Sequence, residues 1–374
     1  MNHLKFVQSV QSDDDKESAC GFMVFRNILL VKIILILLFI LNAITGFTQN
    51  PLNVFKSEID SMYIKTYPNA LTIKSFIKTK YLNLGIEDKN GDYSLDYMPN
   101  GNNSLGFGFN YKWVGFGVTF KVINPDEADR YGETDYLDLQ TNFYLRKGVF
   151  DLFYQKYKGF YLSNTLAMIK GWNDRGTFYL RPDIEVVSSG INYTHIFNPE
   201  KFSYISSFSQ TEVQKKSAGS IILSASINFH RLSADSSFLP QNLVYEDAFA
   251  DNAVNSVKGL STNARFGYAH TLVAKQRFFL SLSMDAGLSY VFGIYKETTG
   301  KQKYSFSVNP NASFRFAAGY NYNNWYAGIT ASGYYQLNRA KGIENVIRIN
   351  YGYINFVVAY RLMLKKEIWL PTLN

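Results

Sequence analysis

The strongest constraint on this chain is a period-two alternation of apolar and polar residues, held over segments too long for an ordinary soluble sheet. From Tyr304 to Tyr320 the even positions include Tyr304, Phe306, Val308, Phe314, Phe316 and Tyr320. The odd positions carry Ser305, Ser307, Asn309, Asn311, Ser313 and Arg315. Successive side chains of a strand point to opposite faces, so such a segment has one apolar and one polar face. The pattern recurs along Leu137–Leu145, Ile221–Phe229, Phe278–Tyr290 and Trp325–Leu337. These segments run roughly 10 to 17 residues, whereas soluble strands average about 5 to 6 and a tilted membrane strand needs about 9 to 11.

Aromatic residues bound the apolar faces. Tyr111 and Trp113 flank one predicted turn, and Tyr320, Tyr322 and Trp325 flank another. Aromatic girdles around alternating strands are the signature of a membrane barrel. The sequence therefore predicts an all-β transmembrane antiparallel up-and-down barrel over 70–363. Thirteen candidate strands are found, and an even number is required if both termini lie on one side. We expect twelve, with fourteen as the alternative if the stretch 93–98 is a strand. In the last segment Ile347, Ile349 and Tyr351 have the opposite parity to Ile354, Phe356, Val358 and Tyr360, which predicts a bulge near Tyr353.

The N-terminal region reads as an export signal. Arg26 and Lys32 precede the apolar run Ile33–Leu41, and small or neutral residues follow at Ala43, Thr45, Gly46 and Thr48. That order is that of a secretory signal peptide, and the run is short for a spanning helix. We expect 23–48 to be the signal, cleaved before Gln49, with 1–22 a mis-assigned extension; a non-cleaved anchor is the alternative. In 49–69, Phe55, Ile59, Met62 and Tyr63 fall at helical spacing and predict a short helix. Residues 364–374 read as a tail.

Composition narrows function mainly by exclusion. The only cysteine, Cys20, precedes the signal, so disulfides and thiolate chemistry are excluded from the exported part. The net charge of +8 is unchanged by removal of 1–48 and suits contact with outer-membrane lipid, lipopolysaccharide included. The basic residues form no stripe, so no nucleic-acid partner is expected. No cofactor or metal is expected either. Asp88-Lys89-Asn90-Gly91-Asp92 opens like a calcium loop, but Tyr93 and Pro99 stand where the EF-hand pattern needs glycine and glutamate.

The candidate lumen-lining residues are Asp138, Asn228, His230, Arg265, Asp285, Asn309, Asn311 and Arg315, all on polar strand faces. Paired, the charged members would fill the lumen; unpaired, they would tune a pore. His230 shares a face with Asn228 and Ser226. Same-face neighbours on one strand are about 7 Å apart, so a catalytic pair would need a partner from another strand. Gly106, Gly108 and Gly117 leave one inner surface short of side chains, for a ligand, for the N-terminal segment, or to let a strand curve.

Tyr97-Met98-Pro99-Asn100, Asn110-Tyr111-Lys112-Trp113, Arg181-Pro182-Asp183, Gly267-Tyr268-Ala269 and, most specifically, Gln214-Lys215-Lys216-Ser217-Ala218-Gly219-Ser220 resemble the DUF4421 family. The resemblance covers about 70–363. It implies an exported outer-membrane barrel of Bacteroidota and supplies no activity. The function expected from sequence is thus a passive pore or small-molecule transporter. A non-conducting structural or surface-interaction barrel is the alternative. A lipid-modifying enzyme comes third, and the chain is read as non-enzymatic.

Overall fold

The structure, a computed structural model, describes residues 57–101, 103–122, 125–173, 176–249, 254–339 and 345–366. The expected signal peptide with its expected cleavage zone, the stretch 1–22 before it and the last part of the tail lie outside these residues. Among the described residues no helix is long and apolar enough to cross a membrane. The strands are β1 (Ile64–Thr66), β2 (Ala70–Glu87), β3 (Ser94–Met98), β4 (Asn103–Tyr111), β5 (Val114–Lys121), β6 (Asp135–Tyr144), β7 (Gly148–Leu162) and β8 (Tyr179–Ile196). They continue as β9 (Glu212–Gln214), β10 (Ala218–Ser233), β11 (Val254–Ala274), β12 (Phe278–Glu297), β13 (Gln302–Tyr322), β14 (Trp325–Asn338) and β15 (Val346–Met363).

Thirteen of these form one antiparallel sheet that closes on itself. The circuit runs β2-β3-β7-β8-β10-β11-β12-β13-β14-β15 and returns to β2, where Val346–Met363 pairs with Glu87–Ala70. The continuous circuit therefore has ten strands rather than twelve. The difference lies at β3, the stretch that sequence alternation marked only weakly. This short strand joins β2 to β7 near the upper end, through Tyr97 opposite Leu162. In the lower part β4 pairs with β2, β5 with β4, and β6 with β7. Here "lower" denotes the end holding Ala70 and Met363.

The wall is apolar outside and polar within. On β12 the outward residues Phe278, Leu280, Leu282, Met284, Leu288, Tyr290 and Phe292 are exposed, while Phe279, Ser281, Ser283, Asp285 and Ser289 are buried. Such a face is stable only against an apolar medium. Aromatic contacts edge it at the lower end, with Phe278 against Tyr320 at 4.6 Å and Trp325 against Tyr360 at 4.8 Å. Tyr304 and Phe306 are exposed toward the upper end.

One local expectation, the bulge in the last strand, is corrected. The last strand has no bulge at Tyr353, because its register against β14 and β2 is unbroken. Ile347 and Ile349 simply face inward, where the upper lumen is apolar. The register shifts fall elsewhere, one of them between Lys158 and Phe160. There Gly159 has φ +91°, and a Cβ would lie 2.2 Å from the Glu133 carbonyl oxygen, so only glycine fits. Of the segment of helical spacing, 49–56 with Phe55 lie outside the described residues; within the described part Ser61–Tyr63 is a turn and Ile64–Thr66 is a strand paired with β9.

Met284 lies midway along the outward face of β12. Met284→Arg should cost about 2–4 kcal/mol of folding free energy, measured by denaturant titration in lipid vesicles. A change within about 0.5 kcal/mol, the usual range for a surface substitution in water, would contradict the membrane orientation.

Candidate functional site

The site is the barrel interior, which is built in three layers. The lowest is an inward fold of the chain between β8 and β10. Its helix, Tyr204–Phe208, starts at Ser203, whose Oγ accepts a hydrogen bond from the Ser206 N–H at 3.0 Å. This is an ordinary N-cap. Gln210, with φ +61°, turns the chain back so that β9 can pair with β1. Phe202, Tyr204, Ile205, Gln210 and Glu212 are all essentially inaccessible.

The barrel wall grips this segment by charge-assisted contacts. Arg146, at the β6–β7 turn, donates from Nη1 to both carboxylate oxygens of Glu212 at 3.1 and 3.0 Å. The Ser203 hydroxyl donates to the same carboxylate. Arg361 on β15 donates from Nε to the Gln210 carbonyl at 2.6 Å and from Nη2 to Asn321 Oδ1 at 2.7 Å. Asn110 on β4 donates to the Ser209 carbonyl at 2.6 Å. Tyr204 points up the axis to Ser283, hydroxyl to hydroxyl, with the Arg315 guanidinium over its ring at 6.0 Å. Burial pushes its phenol up to about 12, so it stays neutral near neutral pH.

The middle layer is a polar network. Arg265 donates to Asp285 at 3.1 Å, and Asp285 also accepts from the Ser224 and Ser313 hydroxyls. Arg315 pairs with Asp151, and Asn192 donates to that same carboxylate at 3.0 Å. Asp138 takes Lys80 at 2.7 Å and hydrogen bonds from Tyr157 and Gln155. Asn263 links Ser226 to Asn311. Buried charges survive where each is matched by an opposite charge and further donors. Within this layer lies a cavity of about 110 Å³, lined by Gln140, Asn142, Asp151, Arg265, Arg315 and Tyr353 among others.

The top layer is an apolar cap. Leu82, Leu84, Ile86, Leu95, Tyr97, Phe160, Ile184, Leu232, Tyr295, Ile347 and Ile349 converge from the strands. Met168, Ile169, Phe238, Leu243 and Phe249 descend on them from the loops. Arg181 holds the loop by donating to Asp183 at 2.8 Å and to the Ser237 carbonyl at 2.9 Å. The Tyr97 hydroxyl donates to the Phe238 carbonyl at 2.7 Å.

The eight residues chosen from sequence all lie on the inner face. Asp138, Arg265, Asp285, Asn311 and Arg315 are brought into the network. Asn228 is buried beside it, and Asn309 accepts from the Arg339 N–H at 3.1 Å. His230 lies higher, and Ser188 of β8 supplies the cross-strand partner that the sequence did not identify, with Oγ 2.9 Å from Nδ1. Both are buried, at 2% and 6% exposure. Of the aromatic set, Tyr322 and Trp325 are exposed, Tyr320 is half-buried, and Trp113 sits against Phe143 at 6.1 Å. Tyr111 is only 3% exposed and so faces protein rather than the exterior. Asp88 of the calcium-like loop spends its carboxylate on the N–H groups of Asn90 and Tyr93, which makes an Asx-type turn. Among the described residues no group of three or more His, Cys, Asp or Glu could hold a metal ion. Sequence reasoning missed Asp151, Asn192, Lys80 and the Arg146–Glu212 pair. Inner-face parity was the available signal for the first three, while Arg146 and Glu212 lie outside the alternating segments.

Comparison with known proteins places this geometry in a family. The family model described as a domain of unknown function, DUF4421, matches residues 58–362. The chain belongs to that family. No curated protein matches it. Among solved structures it is similar to the outer membrane protease OmpT of Escherichia coli, at 10% identity and TM-score 0.39, covering 79% of this chain and 97% of that one. It is also similar to the beta domain of the Bordetella autotransporter BrkA, at 10% identity and TM-score 0.33, with 80% and 100% covered. The CymD monoaromatic hydrocarbon channel gives 13% identity and TM-score 0.25, with 86% and 93% covered. Likenesses of this degree carry no activity over to this chain.

The Arg146–Glu212 contact is the most enclosed charge pair of the plug. Arg146→Met should destabilise the protein by about 3–5 kcal/mol, because it strands a buried carboxylate. Arg146→Met with Glu212→Leu should recover most of that loss. Urea unfolding of the two variants in detergent measures both, and equal losses would contradict the pairing.

Proposed function

We propose that this protein is an outer-membrane β-barrel that does not conduct, with its lumen occluded from both ends and its working surfaces in the wall and the upper loops. The observation that carries this reading is the buried segment Phe202–Gln214, held across the lower mouth by Arg146, Arg361 and Asn110. The apolar cap supports it from the other end. A passive pore needs a continuous aqueous path, and paired charges with an apolar layer leave none along the axis.

A transporter is the second reading. The polar cavity beneath the cap favours it, provided that the plug withdraws. We read the chain as non-enzymatic: the Ser188–His230 pair lies in the lumen wall, out of reach of lipid. Its natural partner is membrane lipid against the apolar band, with lipopolysaccharide at the outer leaflet and no nucleic acid. The twelve-strand count belongs here as well. Counted through β4, β5 and β6 instead of β3, the lower part of the wall has twelve strands, with no ladder across the β5–β6 junction among the described residues.

Folded protein should migrate faster unheated than heated on a denaturing gel, and should give no current steps in a planar bilayer. Stable, reproducible steps from protein that shows this migration shift would overturn the occluded reading in favour of the pore.

A further inference from the structure

The wall has one unzipped junction. In the lower part, β5 pairs with β4 and β6 pairs with β7, and no ladder joins β5 to β6 among the described residues. The outer faces beside it are apolar and exposed: Phe116, Val118 and Phe120 on β5, Leu137 and Leu139 on β6. The junction thus lies at the depth of the hydrocarbon. An open sheet edge is tolerated there only where it borders a polar or water-filled space. Such a space lies behind it. Gly117, Thr119 and Gln140 have the inward parity and are nevertheless exposed, and Gln140 lines the lumen cavity. The cavity therefore reaches the inner face of β6 beside this seam.

Two cations without a salt bridge of their own lie behind this seam, both at the Phe76 ring, at 6.0 and 5.8 Å. On the inner face of β2, Lys80 is paired with Asp138, but Lys74 and Lys78 make no salt bridge among the described residues. The Lys74 ammonium donates to Asn110 Oδ1 at 3.3 Å. That of Lys78 lies over the Tyr353 ring at 4.7 Å, and Tyr353 lines the cavity. The glycines of β4 make room for this column. A Cβ on Gly108 would lie 3.1 Å from Lys74 Cε, and one on Gly106 would lie 2.2 Å from the Phe76 ring. The bare inner surface is thus filled by Lys74 and Phe76 of β2, which reach across β4 toward the seam, while Lys78 leans over Tyr353 of β15.

We propose that the β5–β6 seam is a lateral portal for a long-chain carboxylate, whose headgroup is received by Lys74 and Lys78 while its hydrocarbon tail stays in the bilayer. Charge complementarity selects an anion. The apolar rim selects a tail, and the neighbouring cavity of about 110 Å³ is too small for a long chain. The proposal rests on the reading of the chain as a membrane barrel.

The test uses the full chain folded into phosphatidylcholine vesicles, with labelled palmitate measured by vesicle flotation against protein-free vesicles. Wild type should show saturable excess binding, and hexadecanol and hexadecyltrimethylammonium should show none. Lys74→Gln with Lys78→Gln should weaken palmitate binding roughly tenfold or more, as expected when the charges facing an anion are removed. Gly117→Phe should block entry at the seam with both lysines intact. A Cβ there meets only ordinary contacts, at 3.6 Å and beyond, and Gly117→Ala, which adds that Cβ alone, should fold and bind as wild type. Palmitate binding no greater than in protein-free vesicles, or equal binding by wild type, the double lysine variant and Gly117→Phe, overturns the portal. Heat-modifiable migration of each protein is the control. Its loss in wild type would contradict the barrel itself, whereas absent binding by a folded barrel refutes the portal alone.

Discussion

Everything in this structure depends on backbone hydrogen bonding in a medium that offers no water. A strand surrounded by apolar material must find partners for its N–H and C=O groups along both edges, and only a closed sheet gives them to all strands. The return of β15 to β2 over the full length Val346–Met363 is that closure. With the edges paired, the outer face is free to be apolar, and the long alternating strands follow. Every polar side chain of the alternation is then directed inward. The interior must satisfy those groups among themselves, because it is too crowded to hydrate them freely.

The three layers of the lumen are three solutions to that requirement. In the middle, opposite charges come from separate strands, Arg265 with Asp285 and Arg315 with Asp151, and asparagines and serines take up the remaining lone pairs. At the top the strands stop supplying polar residues, and the cap is closed by apolar packing against the loops. At the bottom the chain itself supplies the closure. The turn between β8 and β10 folds inward, and Arg146 and Arg361 hold its carboxylate and carbonyl groups. A single seam departs from this scheme, between β5 and β6, where the circuit is carried above by β3.

Much of the wall was legible in the sequence because alternation depends only on neighbours two residues apart. The outward faces of β10, β12 and β13 could be read residue by residue. The interior was less legible, because pairing there depends on register between strands. Ser188 meets His230 only because Ser188 lies opposite His230 in the β8–β10 register, a fact no local pattern encodes. The upper lumen misled for another reason. Ile347 and Ile349 look like outward residues if the lumen is polar throughout, and a bulge seemed necessary; an apolar cap removes the need. The plug was hidden because its serines and glutamine resemble an ordinary polar strand or loop. Its burial comes entirely from contacts with distant residues such as Asn110 and Arg361.

The central claim is that the barrel is shut, with the β8–β10 turn as a fixed part of its interior. Hydrogen–deuterium exchange in lipid vesicles, read at the amides of Ser203–Gln214, tests it most directly. Those of Ser203, Ser206, Ser209 and Gln210 donate within the plug. They should exchange as slowly as the strand amides of β10 that follow them. Exchange as fast as that of the exposed upper loops would mean that the plug is open in the membrane, and the account of a closed lumen would fail.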